Sequence, residues 1–128
     1  IVPLADFVNM PYDRDILVRI IVKKTAAHYS YKSVRISKTD FPVLTCAAAL
    51  TQEGVQAAVG ARPAKAALVK DAEQLATLPM TAEKAQAFAE YAAGLLPTET
   101  NPRGSAAYRT HLIKVLTARC LTELGGKA

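Results

Sequence analysis

Tryptophan is absent, phenylalanine occurs 3 times, and aromatic residues make up 6% of the 128 positions. A core made by this chain must therefore be assembled from Leu, Ile and Val with much alanine filling, because small side chains bury little area each. Only two cysteines are present, Cys46 and Cys120, without CxxC spacing. That is too few for a disulfide scaffold or an iron–sulfur cluster, and it suits a reducing cytoplasm and burial in apolar elements. The two histidines, His28 and His111, are far apart and lack HxxxH spacing, so no metal site is expected. There is no GxSxG, no phosphate loop and no nucleophile–base pair, which leaves no catalytic residue to name. No apolar run approaches the roughly 20 residues of a membrane span. The chain opens on Ile1 with no charged n-region or cleavage site, so a signal peptide is not expected and a fragment of a longer chain is.

What is present is a chain of globular composition, 51% hydrophobic and 21% charged, with 24 alanines. Its length favours a single domain. Net charge is +5, and the excess is confined to the first half: residues 1–70 carry 10 Lys/Arg against 5 Asp/Glu, residues 71–128 carry 6 against 6. From Arg19 to Lys38 six basic residues (Arg19, Lys23, Lys24, Lys32, Arg35, Lys38) occur with no acidic one. Such a run is usually a solvated face, and otherwise a surface for nucleic acid or another anionic partner. Only Tyr29 and Tyr31 could stack on bases there, and no nucleic-acid motif is present.

Along the chain, residues 1–12 read as a lead-in arm. Ile16, Val18, Ile20 and Val22 alternate with Arg19 and Lys23, the pattern of a half-buried strand. After Thr25-Ala26-Ala27 a second strand is expected over His28–Ile36, paired with the first. Val43–Leu50 is undecided by pattern, since its alanines favour helix whereas Gly54 and Gly60 punctuate strand-like runs. Asp71–Leu78 reads as a short helix stopped by Pro79. Thr81 caps a helix to about Leu96, and Ser105 caps the longest one, carrying Leu112, Val115, Leu116, Cys120 and Leu124. Strands first and helices afterwards predict an α+β domain, with the sheet over 13–70 and helices over 71–128. Asp40 reads as a turn former rather than a general base, and Tyr108 as a packing ring rather than a proton donor.

Three segments resemble one family. Gly104-Ser105-Ala106-Ala107-Tyr108-Arg109-Thr110-His111-Leu112 is similar to the Gly-Ser-x-x-Tyr-Arg-x-x-Leu signature of flavoprotein subunits of molybdenum hydroxylases, which include xanthine and carbon monoxide dehydrogenases. Tyr31-Lys32 through Asp40-Phe41 resembles that family's aromatic-Lys…Asp-(Ile/Phe)-Ala segment. Val59-Gly60 through Pro63-Ala64-Lys65-Ala66 resembles its Gly-x-x-x-x-Pro-x-(Arg/Lys)-Ala stretch. The order and spacing of the three, from about Ile16 to Leu124, match only the C-terminal domain of the subunit.

The resemblance implies an antiparallel sheet of three or four strands packed against three helices, with 43–50 and 55–60 as strands. It implies FAD in the full-length subunit, held by an N-terminal FAD-binding region and not expected on residues 1–128 alone. It also implies partner chains carrying molybdopterin and iron–sulfur clusters, and a role in covering the flavin and docking those partners as electrons pass from the iron–sulfur clusters through FAD to an acceptor. Two residues carry over as cofactor contacts. Leu17 matches a Leu that packs near the isoalloxazine in the family's Gly-Glu-x-Leu strand, although Arg14-Asp15 stands where Gly-Glu is usual. Lys32 matches a Lys near the flavin, against its plain reading as a strand-surface lysine. Lys23 stands where a proline often ends the first strand, and Pro42 follows Phe41 where alanine is common.

Overall fold

Backbone pairing decides the architecture, because buried N–H and C=O groups need partners. The computed structural model describes residues 1–11, 14–25 and 27–126. Over these the element order is helix α1 (Leu4–Phe7), strands β1 (His28–Val34), β2 (Leu44–Thr51), β3 (Gly54–Gly60) and β4 (Ala67–Lys70), then helices α2 (Ala82–Leu95) and α3 (Ala106–Gly125). The strands form one sheet in the order β1-β2-β3-β4, antiparallel at every step. The α+β class and the antiparallel sheet are as expected, and so are strands over 43–50 and 55–60.

The β2–β3 turn is set locally. Gly54 has φ 107°, a backbone region that favours glycine. The Thr51 hydroxyl donates to the Gly54 carbonyl at 3.0 Å and accepts from the Glu53 amide at 3.2 Å. At the far end of β3, a Cβ on Gly60 would come within 2.8 Å of Thr45 Oγ1, so only glycine fits without a shift.

One sheet face carries the core. Leu44, Cys46 and Ala48 of β2, Val55, Ala57 and Val59 of β3 and Val69 of β4 are buried there. The period-2 alternation places the exposed Tyr29, Tyr31 and Leu68 on the opposite face. Ala48 and Ala57 are paired neighbours, and their small side chains let the helix layer approach closely. That layer is filled by Ala85, Phe88 and Ala92 of α2 and by Leu112, Ile113, Leu116, Leu121 and Leu124 of α3. Both long helices start at the expected caps: Thr81 Oγ1 accepts from the Lys84 amide at 3.3 Å, and Ser105 Oγ from the Tyr108 amide at 3.1 Å.

Two expected elements are not found. Residues 14–25 form no strand, and Ile16, Leu17, Val18, Ile20, Ile21 and Val22 are all exposed. Alternation marks a segment fit for one buried face, but a strand also needs a neighbour to bond and a layer to cover it. Neither is supplied to this segment among the described residues. Asp71–Leu78 is a loop, not a helix. Both Asp71 carboxylate oxygens are taken by local amides, Leu75 N at 2.9 Å and Ala76 N at 2.7 Å, and Gln74 has φ 56°. Such side chain–backbone bonds compete with helix formation. The third helix is instead α1, a single turn with no buried residue. The arm–sheet boundary expected at 12/13, and Ala26 in the link to β1, lie outside the described residues.

Candidate functional site

The two residues proposed from sequence are placed very differently. Alternation along β1 sends Ser30, Lys32 and Val34 toward the helix layer, as their shared face requires. Glu123, in the last turn of α3, meets them there. Its Oε2 accepts from Ser30 Oγ at 3.0 Å and from Lys32 Nζ at 2.7 Å. The Glu123 hydrogen bond lifts the Lys32 ammonium above the usual lysine range. The Lys32 and Glu123 side chains keep 31% and 39% exposure, so water screens the pair and leaves its charge reachable from outside. Lys32 is thus neither a free surface lysine nor a free cation.

Leu17 lies in the irregular segment 14–25 and is 67% exposed, beside Ile16 and Val18 at 86% each. Because no strand forms there, alternation does not single it out from its neighbours. Its apolar side chain is available to a covering surface, but it is not assembled with Lys32, which is docked on α3.

The basic run does not form one face. Arg19, Lys23 and Lys24 lie on the exposed segment, and Lys32 points into the β1–α3 seam. Arg35 Nη1 donates to the Asp40 carbonyl at 2.5 Å. Asp40 forms a turn, as expected: its Oδ1 accepts from the Phe41 amide at 2.7 Å and from Arg103 Nε at 3.2 Å. The Arg103 guanidinium lies 5.4 Å from the centroid of the exposed Phe41 ring. Tyr108 is 45% exposed rather than packed into the sheet. His111 is exposed on the outer face of α3.

Sequence reasoning named Arg109 only as part of a motif, yet it organises this end of the fold. It is 1% exposed. Its Nε donates to the Val43 carbonyl at 3.0 Å, Nη1 to the carbonyls of Glu99 (2.7 Å) and Gly104, and Nη2 to Asn101 Oδ1 at 2.6 Å. One guanidinium thereby ties the start of β2 to the loop before α3. The rigid fork of donors suits this task in a way a lysine does not. The signal was available: Arg109 continues the stripe of Ile113, Leu116 and Cys120 at helical spacing, and a charged residue on such a stripe needs several partners. Nothing in the pattern pointed to Glu123.

Among the described residues, no group of three or more His, Cys, Asp or Glu could hold a metal ion, and no helix is long and apolar enough to cross a membrane. The β1–α3 edge offers a half-exposed ion pair, and residues 14–25, not assembled with it, offer exposed apolar side chains. Such groups can cover, orient and polarise a bound group.

The chain matches the family described as the CO dehydrogenase flavoprotein C-terminal domain over residues 29–124. No curated protein matches it. Among solved structures it is similar to quinoline 2-oxidoreductase from Pseudomonas putida 86, with 23% identity and a TM-score of 0.66 over 81% of this chain and 39% of that one. It is similar to carbon monoxide dehydrogenase from Hydrogenophaga pseudoflava lacking the Mo-pyranopterin moiety, with 21% identity and a TM-score of 0.66 over 78% of this chain and 37% of that one. It is also similar to a cyanide-inactivated Cu,Mo-CO dehydrogenase, with 22% identity and a TM-score of 0.64 over 84% of this chain and 40% of that one. The chain therefore spans about two-fifths of the length of these structures, and the likeness bears on the fold. With the family matched from the second residue of β1 to within one residue of the end of α3, the chain belongs to the CO dehydrogenase flavoprotein C-terminal domain family.

Proposed function

We propose that the chain is the C-terminal domain of the FAD subunit of a molybdopterin-dependent oxidoreductase of the xanthine dehydrogenase and carbon monoxide dehydrogenase type. The observation that carries this is the family match across 29–124, which takes in all four strands and both long helices but for one residue at each end. In this reading residues 1–128 are one domain of a longer cytoplasmic subunit. An N-terminal region of that subunit holds the FAD, and this domain covers it. Iron–sulfur and molybdopterin partner chains deliver the electrons.

The residues present fit a flavin in one respect and modify the expectation in another. Leu17 and its apolar neighbours are exposed and can exclude water from one side of a ring. Lys32 remains partly exposed, but Glu123 shares its charge, so it offers a polarised pair rather than a bare cation. When bound, FAD would accept electrons and pass them on. This chain's own residues would orient the ring, keep water from it and tune its charge balance, without themselves taking part in bond making.

The test is to purify, from its native cells, the complete subunit to which residues 1–128 belong, with whatever accompanies it, and to assay flavin, molybdopterin and iron. The reading expects FAD on that subunit and the other two cofactors on co-purifying partners. A complete subunit that carries no flavin would overturn it. The basic-module alternative would gain only if the full chain bound nucleic acid instead.

A further inference from the structure

The seam between β2 and α3 contains a chemical pair to which the flavin reading gives no role. Cys46 faces the helix layer from the second strand of the sheet, and Cys120 faces the sheet from α3. Both are free thiols with no exposure. The Cys120 thiol lies 3.9 Å from the Cys46 carbonyl oxygen, and Cys46 Sγ is 3.4 Å from Thr117 Oγ1, one turn before Cys120 on α3. The residues are 74 apart in sequence, so only the fold brings them together.

We propose that Cys46 and Cys120 are an oxidisable dithiol, in which Cys120 reacts first with a small peroxide and Cys46 resolves it to an intrachain disulfide across the β2–α3 seam.

The two thiols are not equivalent. Cys120 is held below the usual thiol range, chiefly by the hydrogen bond from Cys46, with help from Ser30 and the Lys32 charge; burial and Glu123 oppose this. Cys46 is pushed up, because its proton is engaged by Cys120 and burial disfavours its thiolate. Geometry points the same way: Cys120 lies one turn before Glu123, whose carboxylate holds the Lys32 ammonium at 2.7 Å, and a nearby cation favours a thiolate, so Cys120 is the nucleophile and Cys46 the resolving thiol. Arg119 and the Lys32–Glu123 pair complete the charged groups around the seam.

The chemistry balances with hydrogen peroxide as oxidant. The Cys120 thiolate attacks one peroxide oxygen, the O–O bond breaks, and the departing hydroxide takes a proton to become water. Cys120 is left as a sulfenic acid. The Cys46 sulfur then attacks the Cys120 sulfur. The S–O bond breaks as the S–S bond forms, and the Cys46 proton leaves with the hydroxyl as a second water. The two sulfurs together lose two electrons and the peroxide gains two.

Access is through the sheet edge. Among the described residues β1 is an edge strand, paired on one side by β2. Its Ser30 (5% exposed) and the partly exposed Lys32–Glu123 pair cover Cys120. Local opening of an edge strand costs less than global unfolding and admits a molecule of nearly water size.

The test uses the full chain, folded, exposed to hydrogen peroxide, then unfolded and alkylated for mass spectrometry, with circular dichroism confirming that the fold persists. The expected product weighs two hydrogens less, carries no alkyl group on Cys46 or Cys120, and yields one crosslinked Cys46–Cys120 peptide. Cys46→Ala is expected to trap Cys120 as a sulfenic acid that reacts with dimedone, whereas Cys120→Ala leaves Cys46 unoxidised. If an alanine variant does not fold, the crosslinked peptide of the unsubstituted chain still decides. Both thiols fully alkylated after peroxide, oxidation beyond sulfenic acid without a crosslink, or only interchain disulfides would each overturn the proposal. None of these outcomes depends on flavin.

Discussion

Replacing Arg109 with methionine removes a side chain that joins Val43, at the start of β2, to the loop before α3. The guanidinium donates to the carbonyls of Val43, Glu99 and Gly104 and to the Asn101 side chain. A hydrogen bond from a charged donor contributes about 1.5–3 kcal/mol. The sum over these bonds overstates the loss, because the substitution also removes the desolvation cost of a buried cation, and the freed acceptors near the loop surface regain some water. A net loss of about 3–5 kcal/mol remains, at the upper end of single-substitution effects. For a domain of this size each kcal/mol lowers Tm by roughly 3–6 °C, so a fall of about 10–25 °C is expected. The assay is thermal and urea unfolding of the full chain, followed by circular dichroism. Arg109→Lys keeps the charge but not the fork, and is expected to lose most of the same stability. A methionine variant within about 1 kcal/mol of the parent would show that these hydrogen bonds do not hold the loop, refuting the role given to Arg109.

Other perturbations address single links. Ser105→Ala removes the acceptor for the Tyr108 amide and should cost about 1 kcal/mol in the same unfolding assay; no change would mean that water replaces the cap. In the flavin-bearing subunit, Leu17→Ala should weaken flavin retention by about 1–2 kcal/mol of apolar contact. Unchanged retention would return Leu17 to an ordinary exposed leucine. Lys32→Met removes the positive half of a pair and Glu123→Gln the negative half. A redox titration should therefore find a lower flavin potential in the first and a higher one in the second, since a net positive neighbour favours the reduced, anionic flavin. Equal potentials in both variants would leave the pair a purely structural clasp.

Legibility in the sequence varied with how local the cause was. β1 was visible because Tyr29, Tyr31 and Val34 suit a pleated surface, and α3 because Ser105 and an apolar stripe mark it without outside help. β2 was not visible, because Ala47, Ala48 and Ala49 favour helix on their own. They become strand through pairing with β1 and β3, which is a tertiary effect. The alternation over Ile16–Val22 is a strand pattern without a strand, since a strand exists only with a neighbour. At Asp71 local side-chain bonds defeated a helix that composition allowed. In the candidate site, alternation correctly put Lys32 with Ser30 and Val34, whereas Glu123 lies 91 residues away and no spacing rule reaches it.

The claim that this domain covers a flavin is tested most directly by hydrogen exchange on the complete FAD-bearing subunit with FAD removed and restored. The account predicts slower exchange at the amides of residues 14–25 and of β1 when FAD returns, because a covered segment loses its access to water. FAD restored to full occupancy with no change in exchange anywhere in residues 1–126 would contradict it.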